Sequence, residues 1–170
     1  MRTLIKIASL TLFVIGLAAC SSTVRFSSDT PKGSSTVSKS YGLEAKSSSD
    51  LRNKIIDEAK QWIGTPYQYG GESKNGADCS GFVMSVYQNA GIDLPRTSQQ
   101  QFNYVQLINN FEREAGDLVF FKKNNKIFHV GIYLGDNYMI HASSSKGVII
   151  QSIDDNYFDD KFAGSGRIIK

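Results

Sequence analysis

Apolar and polar positions divide the chain into three stretches of different character. Residues 7–17 form an apolar run, and residues 21–49 are rich in serine with little apolar content. From residue 50 the pattern becomes periodic. Leu51, Ile55, Ala59, Trp62 and Ile63 recur at helical spacing, with Asp50 placed to cap the first turn and Gly64-Thr65-Pro66 to end it. Residues 67–78 read as a loop, with Gly70, Gly71 and Gly76 supplying backbone freedom. A second helix begins near Cys79, its stripe being Phe82, Val83, Val86, Tyr87 and Ala90, and Gly91 stops it. Cys79 lies three and four residues before Phe82 and Val83, so it sits on the same face at the first turn.

Strand patterns follow at 117–121, 127–134, 138–143 and 147–151, with a last one at 167–169. Gly135, Asp136 and Asn137 between the second and third predict a hairpin. Helices first and strands after predict an α+β fold with helices packed on an antiparallel β-sheet.

The opening stretch has a different destination. Arg2 and Lys6 precede the apolar run, and small residues follow it, which is the layout of a secretory signal peptide too short to be a permanent membrane span. Leu17-Ala18-Ala19-Cys20 resembles a bacterial lipobox. This resemblance implies cleavage after residue 19 and lipidation of Cys20, and Ser21 then favours the outer membrane. Residues 1–19 are thus expected to be removed. Residues 20–49 are expected to be a flexible tether, and residues 50–170 a folded domain facing the periplasm. A coil of the tether's length reaches roughly 30 Å. The 170 residues carry a formal charge of +3 with no basic cluster, so nucleic acid is not an expected partner.

Lipidation of Cys20 alters the cysteine count. The chain has 2 cysteines, so Cys79 is left without an intramolecular partner. Such a thiol is either a buried small hydrophobe or a reactive group. Thiol reactivity requires the thiolate, and a helix N-terminus or a protonated histidine lowers the pKa. The chain's 2 histidines, His129 and His141, both fall in the expected hairpin. Strand alternation puts Ile127, His129, Gly131 and Tyr133 on one face, with Gly131 leaving room for a helix. His141 joins that face only through a three-residue turn, which pairs Gly131 with His141, or through a compensating bulge. In the resulting arrangement Cys79 attacks, His129 moves the proton, and His141 orients His129. Backbone N–H groups at the helix start would meet the oxyanion. Zinc held by the same three side chains is the competing reading, and no fourth ligand stands out by spacing. No cofactor or metal is expected.

In order along the chain, DCSGFV, LPRTS, GDLVFF, HVGIY and IHAS resemble the NlpC/P60 cysteine peptidases, across about residues 59–169. The resemblance implies a reduced papain-like fold and hydrolysis of peptidoglycan stem peptides. It assigns the nucleophile to Cys79, the base to His129 and the third polar residue to His141. It also places Tyr67 near the thiol and gives Asp78 and Ser80 to substrate. Asp78 has a second expected role as helix N-cap, and Arg96 is open between a substrate carboxylate and a structural contact. The bond expected to be cut is the D-Ala–diaminopimelate cross-link. The alternatives are the γ-D-Glu–diaminopimelate bond, a non-catalytic wall-binding role, and acyl transfer through the same thioester.

Overall fold

The computed structural model describes residues 37–169. The expected signal peptide, Cys20 and the first part of the expected tether lie outside the described residues. In chain order the elements are α1 (Val37–Lys60), β1 (Glu72–Ser73), β2 (Gly76–Ala77), α2 (Cys79–Asn89), α3 (Ser98–Tyr104), β3 (Gln106–Ile108), β4 (Leu118–Lys123), β5 (Lys126–Gly135), β6 (Tyr138–Ser143), β7 (Gly147–Ser152) and β8 (Phe162–Arg167). Six strands form one antiparallel sheet in the order β3-β8-β4-β5-β6-β7. The α+β, papain-like expectation holds.

Both faces of the sheet are covered, and strand alternation divides the burial. Leu118, Phe120, Val130, Ile132, Ile140 and Ala142 pack with Ile55 and Ala59 of α1 and with Phe82, Val83 and Val86 of α2. Val119, Phe121, Tyr133 and Met139 point the other way, onto Ile153 and Phe158. The continuous apolar run LVFF of β4 is therefore a strand buried on both sides.

Several sequence expectations are corrected. The first helix begins at Val37, so Asp50 lies inside it rather than at its cap, and residues 37–49 are helical rather than a flexible tether. Leu43, Glu44, Ala45 and Lys46 are good helix formers, and the serines at 47–49 do not interrupt them. Ile63 falls beyond the helix and is half exposed. The last strand is β8, earlier than residues 167–169. Its Ala-Gly-Ser-Gly centre lacks the β-branched residues that mark a strand. The short helix α3 is polar apart from Phe102 and Tyr104 and was not expected. It is started by a capping box in which Thr97 and Gln100 bond each other's backbone N–H.

The hairpin explains how both histidines come to one face. Asp136 and Asn137 have φ of 49° and 60° and form a two-residue turn, pairing Gly135 with Tyr138. That turn alone would give the wrong parity. The register shifts between Tyr133 and Gly135, and from there Tyr133 pairs with Met139 and Ile132 with Ile140. The same register carries Gly131 opposite His141, so the compensating bulge is the solution found. A second bulge lies between His129 and Ile127, which pair with Phe121 and Lys122. It removes Ile127 from the histidine face, and Ile127 packs with the helices instead. Gly131 also has a different use from the one expected. A side chain there would meet Met139 Sδ at 2.9 Å and His141 Cβ at 3.2 Å, so the space belongs to β6 and not to a helix.

Candidate active site

Helix α2 starts at the thiol. Asp78, in extended conformation, caps it by accepting the Gly81 N–H at 2.7 Å. The same carboxylate accepts the Gly70 N–H at 2.9 Å and the Ser80 hydroxyl at 3.2 Å. Arg96 donates to both of its oxygens, at 2.9 and 2.8 Å, and its Nε donates to Glu72 at 2.7 Å. Arg96 also donates to the Ser80 hydroxyl at 3.1 Å. Burial pushes the Asp78 carboxyl up, but the Arg96 bonds and the Gly81 and Gly70 N–H groups hold it below its ordinary range. Gly81 is required by this geometry: a Cβ there would stand 2.1 Å from the Gly71 carbonyl oxygen. The loop before the helix thus lies directly on its first turn.

The Cys79 thiol is buried and unpaired. Its Sγ lies 4.0 Å from the Phe128 carbonyl oxygen, on β5. The expectation of a lowered pKa at the helix start is corrected. Burial pushes the thiol up to about 11. The N–H groups of Val130, Ser80 and Cys79 act against this, and the Asp78 charge adds to it. The helix N-terminus does contribute, but removal from water outweighs it.

The two histidines meet. His129 Nε2 and His141 Nδ1 are 2.7 Å apart, with the rings nearly perpendicular. The nitrogens point at each other at hydrogen-bond distance, which is not a geometry for sharing a metal ion. Among the described residues, no group of three His, Cys, Asp or Glu side chains is placed to hold one. Burial, then the neighbouring His141, lowers His129 to about 3. Burial lowers His141 to about 4, opposed by a hydrogen bond with Gln151 and the charge of Asp155. Both imidazoles are therefore neutral at pH 7.

Two cavities flank the thiol. One, of about 330 Å³, is lined by Cys79, Tyr67, His129, His141, Lys146 and Tyr157, among others. The other, of about 440 Å³, contains Asp78, Ser80, Arg96 and Tyr69. Tyr67, Cys79 and Phe128 line both. All six candidate site residues of the sequence are thus brought to one cleft: Cys79 at its centre, the histidines to one side, Asp78 and Ser80 to the other, and Tyr67 at the junction. Arg96 resolves as the clasp on Asp78. Lys146, Gln151, Tyr157 and Phe158 were not anticipated. Only Gln151 carried a usable signal, as a polar side chain two residues beyond Ile149, the partner of His141 in β7.

This cleft lies within the region where the chain matches known proteins. The NlpC/P60 family pattern matches residues 64–167. A protein named "Murein DD-endopeptidase MepS/Murein LD-carboxypeptidase" of Escherichia coli K12 is 36% identical over 121 residues, covering 71% of this chain and 64% of that one. The "Probable endopeptidase NlpC homolog" of Haemophilus influenzae is 44% identical over 110 residues, covering 64% of this chain. The match spans 58% of the Haemophilus protein, so in both relatives it covers under two thirds of their length. Among solved structures, an NLP/P60 family protein of Staphylococcus aureus superposes with a TM-score of 0.66 at 37% identity, over 71% of this chain and 42% of that one. The NlpC/p60 domain of the peptidoglycan hydrolase SagA gives 0.62 at 33%, over 69% of this chain and 98% of that domain. The chain belongs to the NlpC/P60 family.

Proposed function

We propose that the protein is a cysteine endopeptidase of peptidoglycan, with Cys79 as nucleophile, His129 as general base and acid, and His141 as the group that orients His129. The observation that carries this reading is the cleft itself: a thiol at a helix start opens onto a cavity shared with a hydrogen-bonded histidine pair. The neutral thiol and neutral imidazole define a general-base mechanism. His129 takes the thiol proton as Sγ attacks the carbonyl carbon of the stem peptide. The tetrahedral oxyanion is met by N–H groups at the start of α2. The proton on His129 passes to the leaving amine, and the C–N bond breaks. Water, deprotonated by His129, then hydrolyses the thioester and restores the thiol.

The substrate assignment draws on relatives named for murein and on the two-sided cleft, which suits a peptide bond lying across Cys79 with Tyr67, Asp78 and Ser80 against its acyl side. The preferred bond is the D-Ala–diaminopimelate cross-link, in keeping with the DD-endopeptidase relative. In the same reading Cys20 carries the lipid and the enzyme sits on the outer membrane, facing the wall from the periplasm. The N-terminal pattern supports this part, and incorporation of labelled palmitate that is lost in Cys20→Ser tests it. Mass analysis of intact peptidoglycan after digestion tests the bond. Opened cross-links are expected; shortened stems with cross-links intact would overturn the preference.

A further inference from the structure

We infer that Gln151 and Asp155 are positioning residues that select the tautomer of both histidines, through a one-directional chain of hydrogen bonds. The inference rests on the roles given above to His129 and His141, and it extends them past the third residue.

The chain is ordered from its outer end. An ionised carboxylate only accepts hydrogen bonds. Asp155 accepts the Tyr157 N–H at 3.0 Å, and its carboxylate lies toward the Gln151 side chain, which acts to lower its pKa. The Gln151 group facing it must then be the amide NH₂. This fixes the amide orientation and turns Oε1 toward His141, whose Nε2 lies 3.0 Å away. A carbonyl oxygen is an acceptor only, so His141 carries its proton on Nε2. A neutral imidazole has one donor and one acceptor, so His141 Nδ1 is the acceptor. His129 Nε2, 2.7 Å from it, must be the donor. His129 Nδ1 is left as the one ring nitrogen of the pair with a free lone pair. It is the only site on either ring that can receive the Cys79 proton without breaking a bond of the chain.

The segment after β7 builds this support as a unit. The Asp155 carbonyl accepts the N–H groups of Phe158 and Asp159 at 2.7 and 3.1 Å, forming the turn that delivers Phe158. The Phe158 ring stacks on His129 at 5.5 Å and stands edge-on to His141 at 5.4 Å. Gln151, Asp155 and Phe158 together fix the proton positions and the ring planes. Lys146, on the cavity wall, is the cation whose charge acts on Asp155.

The test is ¹⁵N NMR of histidine-labelled full chain, paired with kinetics on peptidoglycan fragments. In the wild type both imidazoles should show the Nε2–H tautomer alone. Gln151→Leu removes the acceptor with little change in volume. It should give mixed tautomers at His141 and His129, and kcat lower by at least about 10-fold at unchanged KM. Gln151→Glu combined with Asp155→Asn keeps an acceptor toward His141 and a donor toward residue 151, and should restore the single tautomer and most of kcat. It should also move the acid limb of the pH–rate profile upward, because an anion then faces His141. Asp155→Asn frees the amide to turn and should give a smaller loss in the same direction. Wild-type tautomers in Gln151→Leu would overturn the inference, as would equal losses in Gln151→Leu and in the Gln151→Glu/Asp155→Asn double variant. The NMR readout needs no turnover, so it remains decisive even if the wild type proves inactive on peptidoglycan.

Discussion

The Asp78–Arg96 clasp gives a prediction whose size follows from the structure. Arg96→Met keeps the aliphatic reach of the side chain and removes the guanidinium. Asp78 would retain the Gly81, Gly70 and Ser80 donors and lose both charged ones. Removing one partner of a buried ion pair costs about 3–5 kcal/mol. The side chains of Asp78 and Arg96 are 11% and 30% exposed, so water screens part of this and about 2 kcal/mol is expected. That is roughly 30-fold in the unfolding equilibrium. The pH dependence has a definite sign. The folded-state pKa of Asp78 is depressed below 3.8, so the clasp stabilises the fold above that pH and ceases to as the pH falls through the folded value. Urea denaturation of wild type, Arg96→Met, Asp78→Asn and the double variant, at neutral and acid pH, measures this. Arg96→Met should cost far less in the Asp78→Asn background and far less in acid. Additivity within about 0.5 kcal/mol at neutral pH would refute the reasoning.

The remaining predictions concern the thiol, the histidines and the frame. His129→Ala should abolish muropeptide release, His141→Ala should reduce it, and His141→Asn should recover part of the loss by restoring a hydrogen-bonding group. The thiol sits at about 11 and His129 at about 3. Iodoacetamide should therefore label Cys79 slowly at pH 7 and faster with each step toward pH 10, and a labelling plateau below pH 8 would show a resting thiolate instead. Because the depressed histidines are neutral when folded, their stabilisation is complete above about pH 6.5 and declines as the pH falls toward 4, which a melting series should follow. Asp117, buried between Arg52 at 3.0 Å and Arg167 at 2.8 Å, ties α1 to β8; Asp117→Ala should cost about 3 kcal/mol without altering the labelling rate.

The legible parts of this site were those with a fixed period or a strict chemical need. Helical spacing placed Cys79 on the packed face of α2, and a strand period of two turned the question of His141 into one of parity. The bulge, as opposed to a three-residue turn, was not legible. Asp136 and Asn137 both tolerate positive φ, and the extra residue at Leu134 was absorbed by backbone geometry that no residue type announces. Contacts made by distant segments were equally hidden. Arg96 reaches Asp78 across 18 positions, and Gln151 reaches His141 only because β6 and β7 pair in a particular register. The thiol pKa is hidden for a related reason: a helix N-terminus is visible in a sequence, whereas the depth of burial that outweighs it depends on the whole sheet. At α1 the serines preceding residue 50 suggested a boundary, and the helix formers upstream carried the helix through it.

The central claim is that Cys79 is the nucleophile of a wall peptidase, and the most direct measurement compares muropeptide release by wild type and Cys79→Ala under identical conditions, with melting recorded for both. The account predicts opened cross-links with the wild type, none with Cys79→Ala, and similar melting. Equal release by Cys79→Ala would contradict it.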